Sequence, residues 1–228
     1  AAALVRGIEN NLYAGNYDQA FANMDLASFV DFWLVQELMM NSETKHPKSC
    51  YSYINEGIMY AGPVWDFDWN TLPASTSYSE EGYSYTKSML TKADADYYSK
   101  DGYPSEPNNE GDANYIWYPL LVKSDAFTTL AASRWNAVKG ALSTYVSTEI
   151  PRIKEKIAVS EALNYSMWPM DEKGRLSFVS DRYTVFGIGG GFCGDEGMSF
   201  SESVEQLKAT LNTRISGMDT YINNKNWK

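Results

Sequence analysis

The sequence predicts a predominantly helical α+β fold with one central β-hairpin. Two observations carry this: apolar residues recur at helical spacing over separate stretches, and a single strand–turn–strand pattern follows the first strong helix. With 228 residues, 44% of them hydrophobic and 21% charged, the chain has the length and balance for one sizeable core. It is read as a single domain, 1–228.

The elements follow in order. Residues 1–23 suggest a short amphipathic helix and a connector, with Tyr13-Ala14-Gly15-Asn16 as a turn. Asp25 is placed to cap the next helix, where Leu26, Phe29, Val30, Trp33, Leu34 and Leu38 recur through about Met40. The run Asn41 to Ser49, with His46-Pro47, breaks that helix into a polar loop. Cys50–Ile54 and Ile58–Ala61 then flank Asn55-Glu56-Gly57, a turn whose glycine is available for positive φ, and Gly62-Pro63 ends the second strand. From Pro73 to Asn114, Ser, Tyr, Asp, Gly and Pro predominate without periodicity, as in a long loop region with short helical pieces. Helix returns at Ser124, with Phe127, Leu130, Ala131, Val138, Leu142 and Tyr145 as its apolar stripe. A second helix over Pro151–Leu163 tolerates proline in its first turn. After Trp168-Pro169 the pattern is irregular as far as Gly187–Gly191, which follows no obvious strand and has no GK[ST] ending, so it reads as a turn-forming loop. Ser199 and Glu202 form a capping-box pattern before Val204, Leu207, Leu211, Ile215, Met218 and Ile222, the buried face of the last helix.

Composition removes several function classes. A net charge of −10 repels phosphate backbones, which argues against nucleic acid as a partner. No run of about 18 apolar residues appears, so no membrane span is expected. Cys50 and Cys193 lack CxxC or Cys/His spacing, so they form no zinc site; they read as two thiols, with a disulfide between them left open, and His46 reads as a surface or hydrogen-bonding side chain. The carboxylates scattered over Asp94–Asp112 lack calcium-hand spacing and read as a solvated face. Seventeen tyrosines and seven tryptophans supply amphipathic rings for grooves as well as cores; Trp33 and Trp135 are expected in the core, while Trp65 and Trp69, which bracket the acids, either pack, the favoured reading, or stack on a ligand. The start, Ala1-Ala2-Ala3-Leu4-Val5-Arg6, is neither an initiator methionine nor a signal peptide and reads as a cut inside a longer protein.

The chemistry concentrates in Gly62-Pro63-Val64-Trp65-Asp66-Phe67-Asp68-Trp69-Asn70. Two carboxylates in an apolar run are costly to bury unless they are paired, accept backbone N–H bonds or hold a cation. As hard oxygen ligands they suit magnesium or calcium, and magnesium would take its remaining positions from water and substrate phosphates. The order helix, polar loop, hairpin, then aspartate beside an aromatic is also the order used by protein kinases. There the loop acid orients the hydroxyl and the later aspartate holds magnesium.

The run Phe29 to Leu72 resembles the CotH (spore coat protein H) kinase family. The markers are a helix ending in Glu37-Leu38, Asn41 with an acid two residues on, Lys48-Ser49 before a tyrosine-rich strand, and Gly62-Pro63-Val64-Trp65-Asp66-Phe67-Asp68. Weaker resemblance extends to Tyr115–Tyr118, Arg134-Trp135 and the closing helix with Arg214 and Met218-Asp219. The resemblance implies a kinase C-lobe-like fold, the catalytic-side C-terminal portion of an atypical kinase domain whose N-terminal nucleotide-gripping portion precedes residue 1. It implies phosphoryl transfer from ATP, with Mg as cofactor, to a protein Ser/Thr hydroxyl, and a secreted or cell-surface setting with its signal upstream. Carried over residue by residue, Asp66 and Asp68 take the metal, Glu43 the loop acid, Lys48 the catalytic-loop cation, and Ser49 and Asn41 the cofactor side, with Asn41 also fixing the loop. The family's loop acid is commonly Asp; Glu43 is one methylene longer, and a misplacement of about 1 Å can cost roughly a hundredfold in rate.

Two other functions fit the same residues. A pseudokinase-like binding or scaffold module would keep the fold without the chemistry. A carbohydrate-active domain would set two acids about 5 to 9.5 Å apart across an open groove lined by tryptophan.

Overall fold

Asp25 opens the element around which the rest is arranged. Its carboxylate accepts a hydrogen bond from Ser28 N at 2.8 Å and caps the third helix, α3 (Leu26–Met39). Phe29, Val30, Phe32, Trp33, Leu34, Gln36 and Glu37 are all buried, so the helix is enclosed on more than one face, where the sequence predicted a single stripe. Met40 ends it in the left-handed region at φ 52°, with its side chain fully buried. The computed structural model describes residues 1–41, 50–65, 67, 71–72, 84–88, 90, 117–169 and 198–226.

Two shorter helices precede α3, α1 (Ala2–Tyr13) and α2 (Tyr17–Phe21), with the predicted turn between them and Gly15 at φ 72°. Ile8 and Leu12 carry α1 into the core. The predicted hairpin is present as β1 (Ser52–Asn55) and β2 (Ile58–Ala61), antiparallel with Asn55 opposite Ile58. Its turn is two residues rather than three: Glu56 and Gly57 both lie at positive φ, 49° and 81°, the twist that two-residue hairpins favour. Met59 docks β2 against the start of α3, donating from its N to Asn23 O at 2.9 Å and accepting at its O from Asp25 N at 2.8 Å. β1 is exposed along its whole length.

A fourth helix, α4 (Trp117–Leu121), was not foreseen, because five residues containing a proline show no periodicity. It packs Trp117 on Phe29 at 5.6 Å between ring centroids, and Tyr17 Oη donates to Leu120 O at 3.1 Å. The two helices predicted after Ser124 are one, α5 (Asp125–Met167), 43 residues long with Pro151 inside it. An interior proline removes a backbone donor and costs about 3 kcal/mol. The helix runs on through it: Val146 is buried before Pro151, and after it Lys154 reaches Glu205 of the last helix, α6 (Phe200–Asn223), at 3.9 Å.

The stripe on α5 also needs correction. Phe127 and Ala131 are buried as predicted, but Val138 and Tyr145 are 43% and 49% exposed, and Trp135 and Val146 take the inner positions. Near its start α5 meets α3, with Phe127 edge-on to Trp33 at 5.7 Å and Arg134 reaching Asp31 at 3.5 Å. Beyond that point its polar contacts pass to α6, through Asn136 to Asn223 and Lys139 to Asp219, so one flank of the stripe is left uncovered. The capping box of α6 is formed as predicted, Ser199 Oγ accepting from Glu202 N at 3.3 Å and Ser199 N donating to Glu202 Oε2 at 2.7 Å. The described residues thus form a predominantly helical α+β fold with one two-stranded sheet, and among them no helix is long and apolar enough to cross a membrane.

Candidate functional site

The predicted chemistry lies on two stretches of chain, and the fold fixes both ends of each. The polar loop leaves α3 at Asn41, whose N donates to Gln36 O at 3.1 Å, and it returns at Cys50 just before the hairpin. The acidic segment leaves the hairpin at Gly62, whose N donates to Tyr51 O at 2.9 Å, after a cis Gly62–Pro63 bond. It ends where Leu72 N donates to Met39 O at 2.9 Å. The two stretches therefore run between the same two places, the base of the hairpin and the C-terminus of α3. Ala61 N also donates to Ser28 Oγ at 3.1 Å, which seats the hairpin base near the start of α3. At roughly 1.5 Å per residue, Ser28 and Met39 stand about 16 Å apart along the helix.

Among the six predicted site residues, Asn41 falls within the described residues. It is buried, 2% exposed, and its Nδ2 donates to Gln36 Oε1 at 2.9 Å, so side chain and backbone both tie the start of the loop to the preceding helical turn. Glu43, Lys48, Ser49, Asp66 and Asp68 lie outside the described residues, as do His46, Trp69, Cys193, the glycines 187–191 and the acidic stretch 94–112. Phe67, between the two aspartates, is half-buried, and its carbonyl accepts from Thr71 Oγ1 at 2.6 Å. No cluster of three His, Cys, Asp or Glu side chains suited to a metal occurs among the described residues.

Trp65 is not in the core. It is 59% exposed and meets Tyr51 edge-on at 6.4 Å, while Tyr53 stacks on Tyr60 at 5.0 Å. The ring expected to pack inward lies instead on the surface beside the start of the acidic pair. Each strand of the hairpin is only four residues long, and β1, the strand beside Tyr51, is itself exposed.

The most enclosed polar group was not singled out as a site. Glu37 and Arg214 are both fully buried, with Arg214 Nη2 2.5 Å from Glu37 Oε2. Arg214 also donates to Glu37 O at 2.8 Å, Ser84 O at 3.0 Å and Lys87 O at 2.7 Å. The other Glu37 oxygen accepts from Ser88 Oγ at 2.5 Å and Leu90 N at 2.8 Å. Every arm of the pair is thus bonded, which is the condition under which a buried ion pair is tolerated. Burial first, and then the Glu37 carboxylate, push the Tyr221 hydroxyl well above its ordinary range, with Arg214 pulling the other way. Burial likewise raises Tyr118, helped by charge on Cys50 and Glu37. The available signal was a lone Glu within FVDFWLVQELM and an Arg beside Ile215 on the apolar face of the last helix.

No curated protein and no solved structure matches the chain. The family model described as CotH kinase protein matches residues 2–218, which includes the α3–loop–hairpin–acidic-segment order and α6 as far as Met218. On that match the chain belongs to the CotH kinase family.

Proposed function

We propose that this chain supplies the catalytic side of a magnesium-dependent phosphoryl transfer from ATP to a Ser/Thr hydroxyl of a protein. One observation supports this above the others: the loop bearing Glu43, Lys48 and Ser49 and the segment bearing Asp66 and Asp68 are strung between the same two anchors, Tyr51–Gly62 at one end and Met39–Leu72 at the other. Two chains sharing both ends can face each other across a cleft, which is what transfer between an aligned hydroxyl and a metal-held phosphate requires.

The donor set fits the cation. Asp66 and Asp68 offer hard carboxylate oxygens, the ligand type magnesium selects, and phosphate oxygens and water would complete its shell. When bound, magnesium supplies charge neutralisation for the transferred phosphoryl group. On this reading Glu43 would orient the acceptor hydroxyl and take its proton, and Lys48 would offset the phosphoryl charge. Asn41 and Ser49 bracket the loop; Asn41, locked to Gln36, holds its first residue in place. The fold is C-lobe-like on this reading, with α3 as the helix that delivers the catalytic loop.

The test is incorporation of labelled phosphate by the full-length protein with ATP and magnesium, wild type beside Asp66→Asn. Labelling by wild type and a loss of about a hundredfold or more in the variant is expected. Equal labelling of both would reject the metal assignment. An unlabelled wild type would favour the binding-module alternative.

A further inference from the structure

We propose that the buried Glu37–Arg214 pair is a positioning device for the acidic segment, acting at a distance through Tyr85, Met40 and Leu72. Arg214 binds the carbonyls of Ser84, Tyr85 and Lys87, the Tyr85 bond being 3.3 Å, and Glu37 binds Ser88 and Leu90. The pair therefore grips the 84–90 stretch from both sides. Gly217, one helical turn beyond Arg214, completes the seat: a Cβ there would run into the Tyr85 carbonyl and lie 2.7 Å from Thr86 Cα. Tyr85, held in this way, packs with Leu72 against the fully buried Met40. Leu72 in turn donates its N–H to Met39 O, which is where the acidic segment ends.

The same pair fixes the last turn of α3, because Arg214 Nε also binds the Glu37 carbonyl, and that turn starts the polar loop. One buried guanidinium thus sets the exit of one stretch and the departure of the other. Neither residue touches substrate. A brace serving stability alone would need only to join α3 to α6. The five bonds to 84–90 and the notch at Gly217 instead serve a segment that has no part in the helix–helix contact. The catalytic consequence rests on the kinase reading; the structural coupling to Leu72 does not.

The experiment pairs amide hydrogen exchange with kinetics in the full-length protein, using Arg214→Lys and Gly217→Ala. Gly217→Ala displaces 84–88 while leaving both charges intact, and it carries the test if Arg214→Lys does not fold. Exchange at the Leu72 amide should rise about tenfold or more while the α5 amides between Phe127 and Val146 stay protected. The kcat at saturating ATP and magnesium should fall by about tenfold to a hundredfold, with KM for ATP little changed. Unchanged exchange at Leu72, loosening of α5 in parallel with it, or a loosened Leu72 with unaltered kcat would each overturn the proposal. A wild type that transfers no phosphate would reject the kinase reading, and the exchange comparison would still decide the coupling.

Discussion

Two of the carboxylates that tie α6 to the rest of the molecule have surroundings that could hardly differ more. Glu37 is fully buried, meets a fully buried Arg214, and has bonds to both of its oxygens. Asp219, 42% exposed, sits on the α5–α6 seam and accepts from Lys139 at 2.6 Å, Trp135 Nε1 at 3.0 Å and Asn223 at 2.7 Å. Both are well bonded, yet Asp219 is open to water and Glu37 is not. Burial, more than the number of bonds, decides what each loss costs.

The largest expected effect follows from that contrast. Glu37→Ala should destabilise the fold by about 3 to 5 kcal/mol, because it strands a buried guanidinium. Denaturant unfolding measures the loss, and the paired change Glu37→Met with Arg214→Met should recover most of it. Failure of the pair to recover would show that the bonds to 84–90, not the stranded charge, carry the cost. Asp25→Ala, which removes a cap and no buried charge, should cost about 1 kcal/mol. The smallest effect is on the seam: Lys139→Ala should cost at most about 1 kcal/mol, and less in high salt.

Changes of pH sharpen the same contrast in opposite directions. The Lys139 hydrogen bond, with Trp135 and Asn223 adding to it, holds the Asp219 carboxyl below its ordinary range against a smaller opposing effect of burial. Its contribution is present above the unfolded value of about 3.9 and is lost as pH falls through the lower folded value. Tyr221 and Tyr118 are raised, so the folded state keeps their protons where the unfolded chain has lost them. Their contribution is complete below about pH 10 and declines as pH rises through that value. Melting temperature across both ranges checks this: Asp219→Asn should flatten the acid limb alone and Tyr221→Phe the alkaline limb alone.

How much was legible from sequence tracks where the cause of a feature lies. Asp25 and Ser199 cap helices through bonds to residues three positions on, so both starts could be read locally. The hairpin was legible for the same reason, though its turn was read one residue too long. The unbroken course of α5 through Pro151 was not legible, because local rules start a new helix at a proline. For Trp65 the packed reading was favoured over stacking on a ligand, but the ring is 59% exposed beside an exposed strand. Of the site, the motif itself was visible in the sequence, and Asn41 is the one of its six residues that lies within the described residues, bonded to Gln36. The Glu37–Arg214 pair was not, because a Glu in an apolar helix names no partner until the fold brings Arg214 to it across most of the chain.

The central claim is that the aspartates after the hairpin and the acid after α3 face one cleft. A crystal structure of the full-length protein with magnesium and a non-hydrolysable ATP analogue tests it directly. The expected result is an Asp66 oxygen on the cation, with the Glu43 carboxylate pointing to the same terminal phosphate from the opposite side. Asp66 bonded only to main-chain amides and turned away from the nucleotide would contradict it.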